Sequence, residues 1–131
     1  QSFYAYSASF NGGIFVGAGD FNGDGYSDIV TGANAGGGPH VVVVSGANSK
    51  VKLGSFFAYS STFSGGVRVG SADINGDGLP EIITGAGSGI GPLVTRWALP
   101  TGASNFKQID QFFAYGPGSP NNYTAGTFPS V

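Results

Sequence analysis

The stretch "DFNGDGYSDIVTGA", residues 20–33, returns 53 positions later as "DINGDGLPEIITGA", residues 73–86. Each copy joins a loop crowded with acids and glycine to a short β-branched run that ends on Thr-Gly-Ala. The pairing extends past these segments: Ala5 and Tyr6 match Ala58 and Tyr59, Phe10 matches Phe63, Gly12 and Gly13 match Gly65 and Gly66, and Pro39 matches Pro92. After Trp97 the second copy gains three residues around "ALPTGA", so that Ala58 maps to Ala114 at a step of 56. A repeat of roughly 50 residues is too small to bury its apolar faces alone and has to stack on its neighbour.

The composition says what the repeat is made of. Apolar residues form 40% of the 131 positions and are mostly Val, Ile, Phe and Tyr, while 25 are glycine. That set suits a pleated sheet. Runs such as "PHVVVVSG" and "PEIITG" are short and bounded by Gly or Pro, as strands are. The second copy reads as four strands over 65–72, 80–87, 92–99 and 106–115, with Gly and Pro clusters between them. Four antiparallel strands per repeat is the blade of a β-propeller. In "SFFAYS" (55–60) alternation puts Phe57 and Tyr59 on one face and Phe56 and Ala58 on the other. A strand apolar on both faces needs cover on both.

The expected fold is therefore all-β: two four-stranded propeller-type blades with flanking strand fragments. Residues 1–10 read as a fourth-strand fragment, 11–60 as the first repeat and 61–116 as the second. Residues 117–131 read as a tail resembling the start of a third repeat, interrupted by Pro129. Two blades do not close a ring of the usual size. The chain is expected either to form a homo-oligomer that completes a ring or to be cut from a longer propeller.

Charge is concentrated. Of seven acids, six lie in the two loops (Asp20, Asp24, Asp28, Asp73, Asp77, Glu81), and only Asp110 stands elsewhere. Acids at loop positions 1, 3 and 5 turn toward a common centre when glycine lets the backbone bend sharply. Positions 1, 3, 5 and 9 are Asp20, Asn22, Asp24 and Asp28 in the first loop, and Asp73, Asn75, Asp77 and Glu81 in the second. Position 7, Tyr26 or Leu79, offers its carbonyl, and Gly25 and Gly78 occupy the turn at position 6. Hard oxygens without His or Cys suit Ca²⁺ better than Zn²⁺, and Mg²⁺ prefers fewer protein ligands. Two Ca²⁺ per chain would take the net charge from −2 to +2. An EF-hand is excluded: its twelfth position needs Glu, and Thr31 and Thr84 stand there. Without a metal, the same loops would be tight Asx-Gly hairpin turns.

With these residues in place, "FVGAGDFNGDGYSDIVTGA" (15–33) and "RVGSADINGDGLPEIITGA" (68–86) resemble the FG-GAP repeat, also called VCBS-like, of integrin α-subunit propellers and many secreted bacterial proteins. The resemblance implies one Ca²⁺ on Asp20, Asn22, Asp24, the Tyr26 carbonyl and Asp28. It implies another on Asp73, Asn75, Asp77, the Leu79 carbonyl and Glu81, which replaces the usual Asp.

The remaining residues narrow the function. The five bases are scattered, so no basic patch for nucleic acid is present. No apolar run is long enough to span a membrane, and none inserts. Paired-carboxylate hydrolysis would need acids outside the loops, and only Asp110 remains. A Ser-His-acid site would have to use His40, which reads as a strand-edge histidine. "AGGGP" (35–39) lacks the Lys-Ser/Thr of a phosphate loop. No enzyme is expected. Trp97 and the arginines Arg68 and Arg96 are read as packing and solvated strand positions, or else as contacts to a sugar or protein. The expectation is a non-catalytic, secreted or cell-surface calcium-binding module that acts as scaffold and adhesion or protein-interaction surface. The alternatives are a carbohydrate-binding lectin and an accessory portion of a polysaccharide-active enzyme.

Overall fold

The computed structural model describes residues 2–114, and the expected third-repeat tail lies outside them. Among the described residues eight strands form two antiparallel four-stranded sheets that do not close into a barrel. The first blade contains β1 (Ile14–Gly19), β2 (Asp28–Ala33), β3 (His40–Val44) and β4 (Lys52–Phe57). The second contains β5 (Val67–Ala72), β6 (Glu81–Ala86), β7 (Leu93–Ala98) and β8 (Lys107–Phe113). Each is a meander in chain order. Corresponding strands pair alike: Gly19 faces Asp28 across β1 and β2, and Ala72 faces Glu81 across β5 and β6. No helix occurs among the described residues.

The core lies between the blades. Val30, Val41 and Val43 of the first blade meet Val67, Val69, Ile82, Trp97 and Phe106 of the second. The first blade offers glycines where β5 approaches. A Cβ at Gly32 would lie 2.5 Å from the Val67 carbonyl oxygen and 3.0 Å from a Val69 methyl. The second blade fills the outer part of the seam with large rings. Phe56 stacks on Trp97 at 4.4 Å, and Phe106 meets Phe21 edge-on at 5.6 Å. Asn105 adds a polar stitch, accepting from the Ser55 N–H at 3.0 Å and donating to its carbonyl at 2.9 Å. Trp97 is thus a packing residue, and its indole N–H donates to Thr84 Oγ1 at 3.0 Å.

The aromatic segment differs from the sequence expectation. β4 stops at Phe57, and Tyr59 lies beyond it, reaching into the second blade. Its hydroxyl donates to the carbonyl of Leu93 (2.9 Å) or Thr84 (3.1 Å), clasping β6 to β7. Tyr6 repeats this one blade earlier, on the carbonyls of His40 (2.8 Å) and Thr31 (3.1 Å). Residues 2–10, expected as a fourth strand, form no strand. A strand needs a ladder partner, and none lies beside them among the described residues. Tyr6 anchors this segment through its hydroxyl. Burial pushes the Tyr6 hydroxyl up to about 12 and raises Tyr59 as well, because an ionised phenolate would sit among carbonyls.

Two substitutions test the seam. Gly32→Ala forces β5 away from β2 and is expected to cost about 1–3 kcal/mol in urea unfolding, as overpacking does. Tyr59→Phe leaves buried carbonyls without a donor and is expected to cost about 1–2 kcal/mol. Because the folded-state pKa of Tyr59 is raised, its contribution is present below the unfolded value near 10 and is lost as pH rises through the folded value. The loss of stability above about pH 10 should accordingly be shallower in Tyr59→Phe.

Candidate metal centre

Each acidic loop is the hairpin between the first two strands of its blade, so strand pairing fixes its two ends. Within it, side-chain oxygens cap the turning backbone. Asp20 accepts from the N–H groups of Asp24 (3.1 Å) and Gly25 (2.9 Å), and Asp24 accepts from Tyr26 (2.9 Å). In the second loop Asp73 accepts from Gly76 (2.9 Å), Asp77 (3.2 Å) and Gly78 (2.9 Å), and Asp77 accepts from Leu79 (2.9 Å). Asn22 and Asn75 each accept from the N–H two residues on. Gly25 and Gly78 both have φ of 89°, a left-handed turn that a side chain would strain, as their place at position 6 requires.

The loops part at position 9. Asp28 is fully buried, and its two oxygens go to different places: Oδ2 accepts from Phe21 N–H (2.9 Å) and Oδ1 from Gly46 N–H (3.0 Å). It ties the first loop to the turn between β3 and β4. Glu81, one methylene longer, is also buried, and one oxygen accepts from both Ile74 (3.2 Å) and Asn75 (3.0 Å). Its reach brings it into a group with Asp73 and Asp77 in which one carboxylate oxygen from each of the three lies within 4.8 Å of the other two. Among the described residues this is the one such cluster. The sequence reading could not see Gly46, which lies 18 residues from Asp28 and carries no side chain to signal its role.

Three carboxylates this close repel one another unless a cation lies between them. The donors around them are hard oxygens: the three acids, Asn75 and the loop carbonyls. That set fits Ca²⁺ and offers nothing that Zn²⁺ would prefer.

The other residues singled out from sequence make hydrogen-bond, ion-pair and ring contacts within the fold. His40 opens β3, its Nε2 lies 2.7 Å from Ser55 Oγ, and its ring stands between those of Tyr6 and Phe57. Burial, then the nearby Lys52 charge, lowers its pKa. Asp110 is on the other blade, held by Arg96, whose hydrogen bonds keep the carboxyl below its usual range. His40 and Asp110 are thus not brought together. Arg68 lies with its guanidinium carbon 5.3 Å from the Phe15 ring centroid, a cation–π contact across the seam. The signal that sequence reasoning passed over is the Tyr6–Thr31 and Tyr59–Thr84 pairing, both 25 residues apart.

Asp28→Asn exposes the asymmetry. One amide nitrogen would then face a backbone N–H donor. The metal-free protein is expected to lose about 1–3 kcal/mol on chemical unfolding in chelator.

A comparison with curated proteins finds no match for the chain. A family model for the FG-GAP-like repeat matches residues 20–84, from the first acid of one loop, through the second loop, to Thr84 of β6. Over that stretch, with both acidic hairpins inside it, the chain carries an FG-GAP-like repeat.

Proposed function

We propose that this chain is a non-catalytic extracellular module of β-propeller type in which Ca²⁺ bound in the hairpin loops holds a scaffold for adhesion or protein interaction. The observation that carries this reading is the convergence of Asp73, Asp77 and the buried Glu81. In the second loop these three, with Asn75 and the Leu79 carbonyl, would hold one ion. In the first, Asp20, Asn22, Asp24, the Tyr26 carbonyl and Asp28 would hold another. The ion's role is structural: it would replace carboxylate repulsion by attraction and lock each β-hairpin. Millimolar Ca²⁺ outside cells suits loops of modest affinity, which supports a secreted or cell-surface location. The lectin alternative loses its aromatic candidate, since Trp97 is buried against Phe56.

Calorimetric titration of chelator-treated protein is the direct test. Two Ca²⁺ per chain are expected, and Asp77→Ala should bind one. With Ca²⁺ a hundredfold above Kd, one site adds about 2.7 kcal/mol, which raises Tm by on the order of 10 °C for a domain of this size. A melting curve identical in Ca²⁺ and in chelator would refute the structural role.

A further inference from the structure

The two acidic hairpins part at their ninth position, and the cause lies in a turn outside them. Oδ1 of Asp28 accepts from the N–H of Gly46, in the connection between β3 and β4. That turn comes so near only because residue 46 is glycine: a Cβ there would lie 1.7 Å from the Ser27 carbonyl oxygen. At the 53-residue step Gly46 becomes Leu99 and Ser27 becomes Pro80. Leu99 packs its side chain against the core between the blades, and the connection around it is three residues longer. Among the described residues no bond from that connection reaches Glu81. Both N–H groups that Glu81 accepts belong to its own loop, and they share Oε1. Asp28 thus has both carboxylate oxygens engaged, one of them outside its loop, while Glu81 has one.

We infer that the two hairpins bind Ca²⁺ with unequal strength, the second more tightly, and that Gly46 sets the difference as a positioning residue for Asp28. The inference rests on the calcium reading above and adds an order of filling to it. Affinity in calcium loops follows the charge and the rigidity of the ligand set. The second loop already gathers Asp73, Asp77 and Glu81 about one centre, so an ion there meets three carboxylates with little rearrangement. In the first loop an ion competes for Asp28 with the N–H groups of Phe21 and Gly46. Giving up one hydrogen bond to a charged group corresponds to about tenfold in affinity. The first hairpin therefore keeps a protein tie where the second depends on the ion.

Calorimetric titration of two single-loop variants with calcium chloride tests this. Asp24→Ala, which keeps the second loop, should bind about tenfold more tightly than Asp77→Ala, which keeps the first. Gly46→Ala pushes the turn off Ser27 and releases Asp28 Oδ1. Added to Asp77→Ala, it should tighten binding several-fold, whereas loss of a merely structural glycine would leave affinity unchanged or weaken it. The wild-type chain reports the order of filling whether or not that variant folds. In an amide-resolved NMR titration, Gly78, bonded to Asp73, should shift at lower Ca²⁺ than Gly25 and Gly46. Equal affinity in the two variants, tighter binding by the first loop, or Gly46 shifting together with Gly78 would overturn the inference and leave the calcium reading standing. A folded Gly46→Ala chain with unchanged or weaker binding would overturn the role of that glycine. Absence of binding in both variants and in the wild type would overturn the inference and the calcium reading together.

Discussion

The structure depends on the close approach of β5 to the glycines of the first blade. Each sheet is a single layer, and among the described residues the main apolar cluster lies where the two layers meet. A side chain at position 32 would collide with the backbone of Val67, so the fit is set at the level of main chain against main chain. Once that distance is fixed, Phe56, Trp97 and Phe106 fill what remains, and the loops at the end of the strands are held by sheets that cannot slide.

The buried region holds polar groups as well as apolar ones. Thr84 sits at the centre, contacted by the indole of Trp97 from its own sheet and by Tyr59 from the neighbouring blade. The phenol is the more informative partner because it crosses from one repeat to the next. It ties two strands of the following blade through their carbonyls and so makes the connection between repeats part of the fold. The same bonds at Tyr6 show that this crossing is a property of the repeat, not of one location.

Much of this was legible in the sequence, and the physical reasons are specific. Strand positions in the second repeat agree within about two residues because Gly and Pro bound them, and these residues act locally. The fourth strands were read too long because "SFFAYS" alternates perfectly as text, while Tyr59 leaves the ladder for carbonyls on another blade. At the loops, the ligand types and their spacing were evident, since like charges are not crowded without cause. The difference between Asp28 and Glu81 was not. It depends on one methylene and on the N–H of Gly46, a backbone group without a signature in composition or spacing.

The lone tryptophan gives the molecule an optical consequence. Its indole lies at the junction of the sheets, stacked on a phenylalanine of the other blade, with its nitrogen bonded inside the seam. Its emission therefore reads the separation of the blades, apart from the intactness of either sheet. Far-ultraviolet dichroism reads the strands themselves. A red shift of the first that precedes loss of the second would mark a state in which both sheets persist and only their contact has opened.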